Sequence, residues 1–279
     1  MNLIQTLKKG YQILKQNNVD SYQLDAEILL SNSLKISKEE LILNLNKKIN
    51  KLTYSKFINY IKRRQNKEPI AYIINKKEFW RNEFFVNKNV LIPRPETEHI
   101  VEECLKLIGK NHKKRILEIG IGSGSLILSI LKERKFCFGV GIDKSKNAIK
   151  VAKYNANLHQ VINRINFIKS DVDNFKSGKY DLIISNPPYI DKHKLKYLGV
   201  SAYEPNLALN GGVDGIEIIK KVILNSSKLL KINGKLILEI GYDQKYKVTN
   251  FLKKNKYFIN YVKKDLSKID RCILSTKLI

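Results

Sequence analysis

The sequence predicts an α/β fold: a mostly parallel β-sheet covered by helices on both faces, with a small helical bundle in front of it and a β-hairpin joining the two. Three observations predict it. From residue 115 onward, short apolar runs alternate with segments of helical spacing. The first 75 residues show helical spacing only, and residues 76–92 carry the aromatic pattern of a hairpin. The expected boundaries are 1–75 for the helical domain, 76–92 for the hairpin linker and 93–279 for the sheet domain.

Within the helical region, Ile4, Leu7, Tyr11 and Leu14 recur at helical spacing, Leu24, Ile28 and Leu29 open a second pattern, and Phe57, Ile58 and Ile61 share one face of a later helix. Ser37 with Glu40 predicts a capping box before Leu41. Short amphipathic helices cannot each bury a face alone, so they are expected to bundle. Next, Phe79-Trp80 and Phe84-Phe85-Val86 are aromatic and β-branched runs separated by Arg81-Asn82-Glu83, which predicts the hairpin. It leads into Leu91-Ile92-Pro93-Arg94-Pro95-Glu96-Thr97-Glu98. There Pro93 and Pro95 hold the backbone extended, and Thr97 is placed to cap a helix running to Ile108. Arg94, between two prolines, has little backbone freedom and suits the wall of an active site.

Strands are expected at 115–119, 138–142, 165–168, 180–185, 235–240, 257–262 and 272–275, with helices at 125–133, 145–158, 215–230 and 244–254. The last two strands have no helix between them and predict an antiparallel pair at the sheet edge.

Composition narrows the function. No apolar stretch approaches the roughly 20 residues that span a bilayer, and residues 1–17 lack the unbroken apolar run of a secretory signal, so no membrane association and a cytoplasmic location are expected. Cys104, Cys137 and Cys272 are isolated, and His99, His112, His159 and His193 form no i, i+4 pair; no disulfide framework and no metal are expected. The net charge of +26 is the outlier. Spread from Lys8 to Lys277, it either draws the protein non-specifically toward nucleic acid or reflects a bias in residue usage.

Directly after the first strand comes Glu118-Ile119-Gly120-Ile121-Gly122-Ser123-Gly124, opening into a helix. Glycines allow a tight turn and close approach to a ligand, but the spacing is GxGxG and an acidic residue precedes it, which would repel a pyrophosphate. Asp143 ends the second strand roughly 20 residues on, where a carboxylate accepts ribose hydroxyls, and Asp171 follows the third. The set describes a nucleoside cofactor without phosphate, adenosine foremost. After the fourth strand stands Asn186-Pro187-Pro188-Tyr189, where two prolines end the strand and leave an amide, two free carbonyls and a tyrosine at its carboxyl end. Were the ligand a planar nitrogen, as the resemblance of this tetrapeptide given below implies, Asn186 Oδ1 and the Pro187 carbonyl could each accept one of its N–H bonds and turn its lone pair out of conjugation, with Tyr189 packing on the flat group.

The glycine turn with its two aspartates resembles the S-adenosylmethionine-dependent methyltransferases with a seven-stranded Rossmann-like sheet. That resemblance implies that Gly120, Ile121, Gly122, Ser123 and Gly124 contact S-adenosylmethionine, that Glu118 lies near its amino-acid portion, that Asp143 binds ribose, and that Asp171 and Val172 border adenine. Asn-Pro-Pro-Tyr resembles the signature of enzymes that methylate planar nitrogen, either an exocyclic base amine or a glutamine amide, with Asn186 bordering cofactor and acceptor alike and Pro187, Pro188, Tyr189 and Arg94 on the acceptor side. The flanks resemble the HemK/PrmC family: residues 91–98 (LIPRPETE), Asp25 to Leu30, Arg63-Arg64 with Glu68 to Tyr72, Tyr203-Glu204-Pro205, and the glycine run from Gly211 to Gly215. The resemblance implies methylation of glutamine N5 in the Gly-Gly-Gln loop of class I peptide chain release factors, with the helical domain binding substrate; the alternative is an adenine-N6 nucleic-acid methyltransferase. Lys67 and Asn75 stand where relatives commonly carry glycine, and Val172 where some carry tryptophan, so a reshaped turn at Lys67 and weaker cofactor stacking at Val172 are expected.

Overall fold

The computed structural model describes residues 1–197 and 199–278; Ile279, the last residue of the expected 93–279 domain, lies outside the described residues. The chain forms two compact units, Met1–Lys76 and Lys77–Ile279.

The first unit is a bundle of α1 (Leu3–Gln16), α2 (Tyr22–Leu34), α3 (Lys38–Leu43), α4 (Lys51–Gln65) and α5 (Ile70–Ile74). Leu7, Leu14, Leu29, Leu30, Phe57 and Ile61 fill its core. Leu24 differs from expectation and is 48% exposed, because Ala26, Leu29 and Leu30 carry the buried stripe of α2 and Leu24 lies roughly 200° round the helix from Ala26. Ser37 supplies its half of the expected box by accepting from Glu40 N at 3.1 Å. A reciprocal box forms instead at α1, between Asn2 and Gln5. Arg64 donates to buried Asp25 at 2.6 Å, and Arg63 pairs with Glu68 while donating to the carbonyls of Tyr72 and Ile73. The charges that resembled a family signature thus tie α4 and α5 to α2.

Lys67 and Asn75 both adopt left-handed backbone, at φ +67° and +57°. The turn at Lys67 is therefore not reshaped away from the conformation a glycine would take; it carries a Cβ there at a cost of about 1 kcal/mol. Lys67→Gly is expected to raise stability by up to about 1 kcal/mol in denaturant unfolding. A clear loss would mean that the Lys67 amine's bond to the Asn18 carbonyl outweighs the backbone strain.

The hairpin of β1 (Lys76–Phe79) and β2 (Asn82–Phe85) starts on the last residue of the first unit and otherwise belongs to the second. Trp80 lies in its turn at φ +56° rather than in a strand, and its backbone N–H donates to Glu98 at 2.7 Å. Phe79 and Phe84 meet edge to face and enter the core beside Ile100 and Cys104, so the hairpin packs as part of this unit. Helices α6 (Glu98–Leu107), α7 (Ser125–Glu133), α8 (Lys146–Leu158), α9 (Lys192–Leu195), α10 (Glu217–Leu229) and α11 (Lys245–Lys254) accompany a seven-stranded sheet. Its strands are β3 (Arg115–Ile119), β4 (Phe138–Asp143), β5 (Ile165–Lys169), β6 (Tyr180–Ser185), β7 (Leu230–Glu239), β8 (Tyr257–Lys264) and β9 (Asp270–Lys277).

The order is β5-β4-β3-β6-β7-β9-β8. The first five in that order run parallel, and β9 inserts antiparallel between β7 and β8. Neighbouring residues of β3 enter opposite cores, Ile116 on one face and Leu117 on the other, which is why the strands read as continuous apolar runs. β7 begins earlier than expected: Leu230 pairs with Tyr180, the register then shifts, and Asn233 at φ +61° gives the stretch the look of a turn. The chain reverses its direction of winding between β3 and β6, and there the carboxyl ends of the strands open a crevice. Among the described residues no helix is long and apolar enough to cross a membrane.

Candidate active site

A cavity of about 510 Å³ occupies that crevice. Glu118 near the end of β3 and Gly120, Ile121, Gly122 and Ser123 after it line the cavity, with Asp143 at the end of β4, Asp171 and Val172 after β5, Asn186, Pro187 and Pro188 after β6, and Arg94 on one wall. Two expected site residues do not line it. At Gly124 a Cβ would run into Leu128 of α7 at 2.8 Å rather than into open space, and Tyr189 points elsewhere.

The glycine turn hangs from the end of β4, since Gly120 N and Ile121 N both donate to the Ile142 carbonyl at 2.9 Å. Gly120 and Gly122 have φ of +75° and +53°, and a Cβ added to either would meet no protein atom within 4 Å. The space above the turn is open and belongs to the cavity. Beneath it, Glu118 is 2% exposed and accepts from Ile127 N at 3.1 Å in the first turn of α7. Burial, reinforced by Asp143, pushes its pKa well above the usual carboxylate range. Asp143 accepts from Gly122 N at 3.0 Å and Ser145 N at 2.8 Å, and burial raises its pKa as well. At the rim, Lys144 stands 3.0 Å from Asp171 and holds its carboxyl below the usual range. Open backbone with carboxylates beneath and beside it fits a cationic amino acid joined to a ribose, and fits a pyrophosphate poorly.

The opposite wall is held from several sides. Ser185 Oγ donates to the Ile119 carbonyl at 2.7 Å, locking the end of β6 to β3. Asn186 Nδ2 donates to Thr97 Oγ1 at 3.1 Å, which leaves Oδ1 as the carboxamide atom for an incoming donor. Ile190 exchanges backbone bonds with Leu209 and Gly211, and buried Gln244 donates to the carbonyls of Tyr189 at 2.8 Å and Gly215 at 3.1 Å. A Cβ on Gly211 would come within 2.5 Å of the Gly215 carbonyl oxygen and 2.8 Å of Tyr189 Cα, so this close approach requires glycine.

Two expectations change here, at Tyr189 and Thr97. Tyr189 does not face a flat acceptor; its hydroxyl donates to Glu239 at 3.2 Å and its ring packs on the core, because the Gln244 bond and the backbone bridge at Ile190 fix its backbone. Thr97 does not cap α6: it has helical backbone, at φ −70° and ψ −19°, after a 3₁₀ turn, which frees its hydroxyl for Asn186. Arg94 is itself anchored, donating to the Ile92 carbonyl at 3.0 Å and pairing with Glu204, whose other oxygen accepts from Ile92 N at 3.0 Å.

Comparisons with known proteins bear on both units. The family profile described as the PrmC N-terminal domain matches residues 5–74, and that of the methyltransferase small domain matches residues 100–202. A release factor glutamine methyltransferase of Clostridium acetobutylicum is 36% identical over 99% of this chain and 99% of that protein. The chain belongs to the release factor glutamine methyltransferase family. The relative of the same description from Buchnera aphidicola is 37% identical over 99% of this chain and all of that protein. A solved methyltransferase of Pyrococcus furiosus superposes with a TM-score of 0.54 at 19% identity, covering 70% of this chain and 89% of that one, and shows the shared fold. As a member of this methyltransferase family, the chain uses S-adenosylmethionine as its methyl donor.

Several residues that hold the walls of this cavity were not singled out from sequence: Glu239 beneath Tyr189, Gln244, which donates to the Tyr189 and Gly215 carbonyls, and Asn155, whose side chain joins the Phe85 backbone to the Ser123 carbonyl. One signal could have found Glu239. The pentapeptide Ile-Leu-Glu-Ile-Gly occurs at 116–120 and again at 237–241, placing a second buried carboxylate at the carboxyl end of a parallel strand.

Proposed function

We propose that this protein transfers the methyl group of S-adenosylmethionine to the N5 amide nitrogen of the glutamine in the Gly-Gly-Gln loop of class I peptide chain release factors, in the cytoplasm. The observation that carries the reading is the Asn186 carboxamide, tethered through its nitrogen to Thr97 and lining the same cavity as the open glycine turn. S-adenosylmethionine supplies an electrophilic methyl on a sulfonium whose charge disappears on transfer. The turn at 120–124 seats it, Glu118 faces its amino-acid portion, Asp143 its ribose, and Asp171 with Val172 its adenine. A glutamine amide is a poor nucleophile because its lone pair is delocalised. Asn186 Oδ1 and the Pro187 carbonyl each accept one of its N–H bonds and aim the lone pair at the methyl carbon. No strong base is required, since the nitrogen sheds its extra proton once methylated, and alignment supplies most of the rate. Arg94 braces this wall, and the helical unit grips the release factor.

Adenine-N6 methylation of nucleic acid is not favoured, because the full-length relatives carry the release factor description. The test is to incubate the protein with labelled S-adenosylmethionine and a release factor, its Gly-Gly-Ala loop variant, or DNA. Label is expected in the intact loop only; label in DNA and not in the release factor would overturn the reading.

A further inference from the structure

Glu239 ends β7 fully buried beneath the acceptor tetrapeptide. It accepts from the Tyr189 hydroxyl, and the Thr97 hydroxyl lies close enough to favour its charged form. Its Oε2 has no regular hydrogen-bond partner among the described residues. Thr97 therefore stands between two groups, the carboxylate on one side and Asn186 Nδ2 on the other. A hydroxyl has one proton to donate, and an ionised carboxylate can only accept. The direction of each bond in the row is then dictated from its buried end.

We propose that Thr97 and Glu239 are positioning residues that set the polarity of Asn186. Ionised Glu239 accepts a hydrogen bond from the Thr97 hydroxyl, Thr97 in turn accepts from Asn186 Nδ2, and the carboxamide is held with its oxygen toward the incoming amide. This rests on the reading of the cavity as an amide-methylating site. When Glu239 is protonated it can donate to Thr97, whose own proton is then free to turn toward Asn186; the carboxamide can flip and present its NH2, which cannot accept from a substrate N–H.

The groups facing Glu239 are Tyr189 and Thr97, Arg271 and Cys272 on β9, and Glu96 ahead of α6. Burial dominates and pushes its pKa up to about 7, against the opposing hydroxyls and Arg271, while Glu96 pushes the same way as burial. The protonated form is the inactive one, so kcat should rise with pH through about 7 and level off above it.

The test measures kcat, KM and cofactor Kd for the wild type, Glu239→Gln, Thr97→Val and Thr97→Ser between pH 5.5 and 9, with the release factor as substrate. Glu239→Gln should lose roughly 10-fold or more in kcat at pH 8 and lose the step near 7, with cofactor Kd unchanged. Thr97→Val should show the same loss, and Thr97→Ser should recover most of it. Melting at pH 8 serves as the folding control, where Glu239→Gln should melt no lower than the wild type because a buried charge is removed. Wild-type kcat with an unaltered pH profile in Glu239→Gln, or full activity in Thr97→Val, overturns the inference while leaving the function standing. A wild-type protein that methylates no release factor at any pH overturns the function itself.

Discussion

Asn186→Ala is expected to lower kcat for release-factor methylation by roughly 10²–10³-fold while cofactor affinity, measured by calorimetry, changes little. The size follows from what is removed. Asn186 Oδ1 is one of two acceptors that can take the hydrogens of a delocalised amide, and the Tyr189 hydroxyl cannot replace it, since it is turned into the core against Glu239. The variant should fold, because Asn186 is only half-buried and the backbone around it is held by Ser185, Gln244 and Ile190. Turnover near the wild-type level would eliminate the proposed orientation of the glutamine amide.

Gly122→Leu is expected to weaken cofactor binding by roughly 100-fold or more, with the protein still folded. No protein atom lies within 4 Å of a Cβ built at this position, so the new side chain projects into the open space over the turn rather than into the core. Its φ of +53° adds strain of about 1–2 kcal/mol, which calorimetric melting should resolve. The bond from Gly122 N to Asp143 involves the backbone and survives the change. A variant that bound S-adenosylmethionine as tightly as the wild type would place the cofactor elsewhere than on this turn.

Much of the fold was legible from local pattern. Seven apolar runs became the seven strands of the sheet, and the stretch without an intervening helix became its antiparallel edge. Errors fell where local signals were ambiguous: Trp80 belongs to a turn, Leu24 to the exposed side of α2, and β7 begins before a segment whose Asn-Gly pair reads as a loop. On the cofactor side, glycine spacing and strand-end carboxylates located Glu118, Gly120 to Ser123, Asp143 and Asp171 on the cavity wall, because a turn that follows a strand and precedes a helix is determined by residues adjacent in sequence.

The acceptor wall differs in kind. Asn186 and Thr97 are 89 residues apart, Tyr189 and Glu239 are 50, and Arg94 and Glu204 are 110. Period and turn chemistry could announce that Asn-Pro-Pro-Tyr ends a strand and offers acceptors, and family resemblance could name the acceptor as a glutamine. Neither could say that Tyr189 turns inward, that Thr97 serves Asn186 instead of a helix end, or that a buried carboxylate lies at the foot of both. Those partnerships exist only once β7 lies beside β6 and the start of α6 reaches the ends of both strands, because hydrogen bonds are selected by distance in space and burial, which sequence separation does not encode.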